Sequence, residues 1–123
     1  MNGLARRQGE KGEDLACGFL RRKGYQLVMR NYRVPGGEID LVMRHGSMLA
    51  FVEVKARNSG RYGYPEESVT MQKQERMSKA ARHFLARFPV DTSYRFDIIA
   101  IEHLDSAQPA ITHIENFLDF SLC

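Results

Sequence analysis

A helix, three strands, a second helix and two further strands, in that order, predict an α/β sandwich: a mixed central β-sheet flanked by α-helices. Three observations carry this prediction. Residues 36–57, GGEIDLVMRHGSMLAFVEVKAR, read as two strands around a tight turn. Met77, Ala80, Ala81, Phe84, Leu85 and Phe88 form an unbroken apolar stripe at helical spacing. The strand-like run YRFDIIAIEHL follows that helix, so the strands at 48–56 and 95–102 come out parallel, joined by a helical crossover.

In chain order, residues 10–23 read as the first helix. Ala16, Cys17 and Leu20 recur on one side, with Leu15 and Phe19 widening the stripe. Acids fall in its expected first turn and Arg21, Arg22 and Lys23 in its last, which complements the helix dipole. Gly24 ends it. YQLVMRNYRV is the first strand. In the hairpin, Gly46-Ser47 suits a two-residue II′ loop, which needs glycine at its first central position. That loop pairs His45 with Met48, and therefore sets Asp40 opposite Glu53 and Glu38 opposite Lys55. Ile39, Leu41 and Met43 then share a wholly apolar face with Val54, Val52 and Ala50. NSGRYGYPEES is a loop by its Gly and Pro content. Thr70 is the expected N-cap of the long helix and Pro89 closes it. AITHIENFL supplies a last short strand or a terminal turn.

With 123 residues the chain suits one domain, 1–123, with a real core. At 43% hydrophobic and 27% charged it falls outside the disordered and collagen-like classes. The polar, glycine-containing start lacks a signal-peptide core and no long apolar run occurs, so no membrane partner is expected. Cys17 and Cys123 have no metal-ligand spacing and make no disulfide framework, which points to a reducing cytoplasm. The net charge of +3 hides an asymmetry: residues 1–90 hold 17 Lys/Arg against 9 Asp/Glu, whereas residues 91–123 hold 1 against 6. A basic body with a few acids at one focus suits an anionic polymer such as nucleic acid.

That focus is the hairpin. Two carboxylates directly opposite on a sheet lie about 4.5–5.5 Å apart at Cβ and repel. A hard divalent cation would offset the repulsion, because Mg²⁺ binds one or two carboxylates and fills its other positions with water and phosphate oxygens. Lys55 points to the same side. The competing reading is a solvated face with an ordinary Glu38–Lys55 pair. Glu13, on the inward side of the first helix, could reach the carboxylates; an acid placed for the helix dipole accounts for it equally well.

Glu13, GGEIDLV with Asp40, FVEVKAR with Glu53 and Lys55, and YRFD together resemble the PD-(D/E)XK nuclease pattern. The stretch from Gly12 to about Phe120 is similar to the YraN-like family of small bacterial proteins, related to archaeal Holliday-junction resolvases. Pro35 is separated from Asp40 by GGEI, so the literal PD is absent. The resemblance implies a restriction-endonuclease-like fold and a Mg²⁺- or Mn²⁺-dependent endonuclease that binds DNA. By that resemblance Asp40 and Glu53 hold the metal, together with the main-chain carbonyl of Val54. Lys55 orients the attacking water, and Glu13 is the extra acid of resolvase-like members. The alternative is a nucleic-acid-binding module with a silent site that acts through a protein partner such as a helicase; a homodimer is a further arrangement left open.

The remaining candidates are contacts to nucleic acid. Arg57, Arg61, Tyr62 and Tyr64 follow the second hairpin strand and could grip phosphates or stack on bases, or simply pack the loop. Lys73 opens the long helix beside Gln72, where a solvated helix start is the plainer account. Lys73, Arg76, Lys79 and Arg82 flank the apolar stripe and could track a backbone, although such a face is commonly just solvated. Arg95 and Asp97 read as a structural ion pair near the site. His45, His83, His103 and His113 show no zinc spacing, and no glycine-rich phosphate loop occurs.

Overall fold

The computed structural model describes residues 3–58, 68–88 and 93–118. Its elements are α1 (Gly3–Arg22), β1 (Gln26–Val34), β2 (Gly37–His45), β3 (Met48–Ala56), α2 (Met71–Arg87), β4 (Tyr94–Glu102) and β5 (Ala110–Ile114). The five strands form one sheet in the order β1-β2-β3-β4-β5. Only β3 and β4 are parallel, and α2 makes the crossover between them. The result is an α/β sandwich with a mixed sheet.

Local chemistry fixes the ends of the elements. Gly24, at φ 94°, closes α1: its N–H donates to Arg21 O and that of Tyr25 donates to Leu20 O, both at 3.0 Å. Thr70 caps α2, its hydroxyl accepting from Lys73 N–H at 3.1 Å. Gly46, at φ 62°, makes the hairpin turn, and His45 pairs with Met48 as the turn chemistry requires. The run AITHI is a strand, paired antiparallel with β4.

Each sheet face has its own core. Under α2, Met77, Ala80, Ala81 and Phe84 pack on Val42, Phe51, Phe96 and Ile98. Phe51 sits edge-on to Phe84 with centroids 5.8 Å apart, a favourable aromatic geometry. Phe88, the last member of the predicted stripe, is 38% exposed because the helix ends there. Under α1, Ala16, Cys17 and Leu20 meet Leu41, Met43, Ala50, Val52, Ile99 and Ile101. A Cβ on Gly37 would come within 2.7 Å of Arg76 O, so glycine there lets the α2 backbone rest directly on β2.

Three expectations need correction. The first helix begins at Gly3, not at residue 10, so its acids stand in mid-helix and its first turn holds none; the glycines and few apolar residues at the start give no periodic signal. Ile39 does not share a face with Leu41. It lies under α2 with Tyr32, whereas Leu41 lies under α1. The side-chain alternation breaks at Asp40, which falls with Asn31 between the pairs Arg30–Leu41 and Tyr32–Ile39; Asn31 has φ 52°. Finally, the β2–β3 ladder runs from His45–Met48 to Leu41–Val52, so neither Asp40 with Glu53 nor Glu38 with Lys55 is a cross-strand pair within it.

Candidate active site

Beyond Leu41–Val52, Asp40 bridges β2 and β3 with its side chain: Oδ2 accepts the Val54 N–H at 2.9 Å. Glu53 stands beside Ile98 in the β3–β4 register, on the α2 side of the sheet. Its side chain is 3% exposed, with Oε2 3.4 Å from Lys73 Nζ and 3.9 Å from Lys55 Nζ. Its other oxygen, Oε1, is buried without a hydrogen-bond partner. Burial, and then the hydrogen bond and charge of Asp40, push the Glu53 carboxyl well above the ordinary carboxylate range; Lys73 and Lys55 pull it down without prevailing.

Lys73 reaches this pair from the first turn of α2. Its ammonium donates to Glu38 Oε1 at 3.0 Å. Burial pushes its pKa down, but the charges of Glu53, Glu38 and Asp40 outweigh that and the net shift is upward. The Lys73 hydrogen bond in turn holds Glu38 below its usual value. Lys73 therefore stands among the acids, not on a solvated helix start, and Glu38 pairs with it and not with Lys55. Nothing local in the sequence signals either contact, because both depend on how α2 docks on β2.

Glu13 reaches the same cavity from α1. Standing in mid-helix, it has no N-terminal dipole to serve. Its Oε1 accepts from Arg30 Nη2 at 3.2 Å and from Asn31 Nδ2 at 3.1 Å, and Arg30 also binds Asp14 at 2.7 Å. The left-handed backbone of Asn31 thus accompanies an anchor between β1 and α1 at the edge of the site.

One cavity of about 440 Å³ is lined by Glu13, Asp40, Glu53, Lys55, Arg57 and Lys73. All six were singled out from the sequence. Arg61, Tyr62 and Tyr64 lie outside the described residues. Among the described residues no group of three or more His, Cys, Asp or Glu side chains is placed to hold a metal ion. Two carboxylates suit a hard cation that keeps much of its water, and the unpartnered Glu53 Oε1 is an oxygen donor still to be satisfied. The cavity joins paired acids and cations that could grip a phosphate, and so suits chemistry on an anion.

The Arg95–Asp97 pair exists, with Arg95 Nε 2.8 Å from Asp97 Oδ1, but on the other side of the sheet. Asp97 stands beside Val52, whose side chain lies under α1. His113 Nε2 is 2.8 Å from Asp97 Oδ2, and the Asn116 N–H donates to Oδ1 at 3.0 Å. His45 stacks on Tyr25 at 4.5 Å and His83 bonds the Tyr32 hydroxyl at 2.6 Å, so neither serves a catalytic group. Among the described residues, no helix is long and apolar enough to cross a membrane.

Known proteins share this sequence over most of its length. The profile of the family described as "Uncharacterised protein family UPF0102" matches residues 12–101. A UPF0102 protein of Geobacter sulfurreducens is 46% identical over 114 residues, covering 92% of this chain and 89% of the relative. One from Chloroherpeton thalassium is 48% identical over 94 residues, covering 76% and 73%. One from Symbiobacterium thermophilum is 45% identical over 100 residues, covering 80% and 85%. The carboxylates, both lysines and Glu13 all fall within the matched segment, and the chain belongs to the UPF0102 family.

Proposed function

We propose that this protein is a divalent-metal-dependent nuclease of the PD-(D/E)XK class, with a restriction-endonuclease-like fold, that hydrolyses phosphodiester bonds in DNA. The observation that carries the reading is the buried, unpartnered Glu53 Oε1 beside Asp40, in a cavity also lined by Lys55 and Lys73. A bare carboxylate oxygen in a dry site costs about 1–3 kcal/mol, a cost that persists where a ligand removes it in the working state. Asp40 and Glu53 would hold Mg²⁺ or Mn²⁺, which supplies Lewis acidity and an activated water. Lys55 faces the same cavity, where its ammonium can orient water and balance charge on a phosphate. Lys73 lies 3.4 Å from Glu53 Oε2, and Glu13 also lines the cavity. A cytoplasmic setting belongs to the same reading.

The test is a cleavage screen over branched, duplex and single-stranded DNA and RNA with Mg²⁺ or Mn²⁺. Asp40→Asn is expected to abolish cleavage with the fold intact. Lys55→Ala should impair cleavage but leave metal binding in place, since lysine has no acceptor for a cation. Asp40→Asn protein that cuts as well as wild type would sink the proposal. A second reading rests on Lys73: an ammonium 3.4 Å from Glu53 and 3.0 Å from Glu38 can neutralise the acids without metal. The chain is then a nucleic-acid-binding module with a silent site, working through a protein partner such as a helicase. Cleavage that is absent from wild type and mutants alike, with nucleic acid still bound, selects it.

A further inference from the structure

A second cavity, of about 480 Å³, lies along α2, lined by Gly36, Gln72, Glu75, Arg76, Lys79 and Arg82. The helix that forms it holds five Lys/Arg against one Glu, a surplus of four that exceeds the net +3 of the whole chain. Lys73 is taken up by Glu38 and Glu53, but the cations that follow it are not. Among the described residues Arg76, Lys79 and Arg82 enter no ion pair, and Glu38, whose field Arg76 shares, is taken by Lys73 at 3.0 Å and Arg33 at 3.7 Å. Gly36, whose φ of 78° favours glycine, lies against the Lys79 side chain: a Cβ there would come 2.7 Å from its Nζ.

The spacing is regular. Lys73, Arg76, Lys79 and Arg82 follow one another at three-residue steps, a row inclined by about 45° to the helix axis. Each step advances about 4.5 Å along the axis and turns about 60° around it, so the row passes from the Glu53 side of α2 into the second cavity, which Arg76, Lys79 and Arg82 line. Its first member touches Glu53. Among the described residues the lining of the cavity contains no aromatic side chain, so these residues offer phosphate contacts and no platform for stacking unpaired bases.

We propose that this row is the track for one strand of duplex DNA flanking the bond at Asp40 and Glu53, held through its phosphates without regard to sequence. The inference rests on the nuclease reading for its substrate, but the track is tested without cleavage. Anisotropy of a labelled duplex is followed in EDTA over a salt series, for wild type and for the triple variant Arg76→Gln, Lys79→Gln, Arg82→Gln. Each lost contact lowers the slope of log K against log salt by about 0.9, so the triple variant should lose about 2.7 of slope. Between about 50 and 200 mM salt its affinity should then fall about 40-fold less than that of wild type. Arg76→Lys, Lys79→Arg, Arg82→Lys, which keeps every charge, should restore the wild-type slope, and Arg21→Gln with Arg22→Gln, at the end of α1, should leave it unchanged.

An unchanged slope in the triple variant, an equal loss per charge in the α1 variant, or tighter binding to single strands than to duplex would overturn the track. So would competition by inorganic phosphate at the duplex's own concentration, which marks a small-anion site, or binding to anionic lipid vesicles in place of DNA. A wild-type protein that shows the slope but never cleaves leaves the track standing and removes only the nuclease reading.

Discussion

Glu53 and Asp97 are both buried acids, and they stand one register position apart on the paired strands β3 and β4. Their environments have opposite effects. Asp97 accepts from Arg95 Nε, from Arg95 Nη2 and from the Asn116 N–H, and His113 closes the ring. Burial pushes its pKa up, but these hydrogen bonds together outweigh burial and hold it below the ordinary aspartate value. Glu53 meets a second carboxylate and two ammonium groups at 3.4 and 3.9 Å, and keeps one oxygen bare. Burial and Asp40 hold its pKa up. A fully satisfied buried acid ties a sheet together, whereas a half-satisfied one stores a cost that a ligand can relieve.

The largest effect should come from the satisfied acid. Asp97→Ala removes the carboxylate from a buried imidazole and a part-buried guanidinium, and is expected to destabilise the fold by about 3 kcal/mol in urea denaturation. A loss under about 1 kcal/mol would show that the network does little and would erase the contrast. Acid should act in the same direction. A carboxyl whose folded pKa is depressed contributes stability above its unfolded value and loses it as pH falls through the folded one. Wild type should therefore weaken below about pH 4, and Asp97→Ala should show a shallower acid limb.

The half-satisfied acid makes the next prediction. If Asp40 and Glu53 take a cation, Mg²⁺ at a hundred times its Kd should stabilise wild type by about 2.7 kcal/mol. Asp40→Asn should show none of that gain in a melting series with and without Mg²⁺. Equal stabilisation of both proteins would remove the metal from this pair.

Glu53→Gln without metal should be the smallest change and should carry the opposite sign to Asp97→Ala. A carboxyl whose folded pKa is raised contributes stability below its unfolded value and loses it as pH rises towards the folded one. Glutamine removes that loss, so the variant should be more stable than wild type at pH 8, with the gap closing towards pH 4.5. A variant less stable than wild type at pH 8 would mean that Lys73 and Lys55 already satisfy Glu53, and the comparison would collapse.

Much of the fold and part of this contrast were legible before the coordinates. Gly46-Ser47 determined the hairpin register, because a positive φ at the first central residue is open to glycine and closed to most others. The stripe from Met77 to Phe84 determined which side of α2 is buried, since helical periodicity is a property of the chain alone. Asp40, Glu53, Lys55 and Glu13, grouped from the sequence, do line one cavity, although the ladder on which that grouping relied stops at Leu41–Val52. Tertiary structure alone decided the rest. The pleat breaks at Asn31 and Asp40 and sends Ile39 to the other core, which no alternation pattern can reveal when both faces of the sheet are covered. Lys73 meets Glu38 from 35 residues away and Asp97 meets His113 from 16, through contacts set by helix docking and strand pairing. Sequence determines what repeats along the chain; which acid is satisfied and which is left bare depends on groups that only the packed sheet brings within hydrogen-bonding reach.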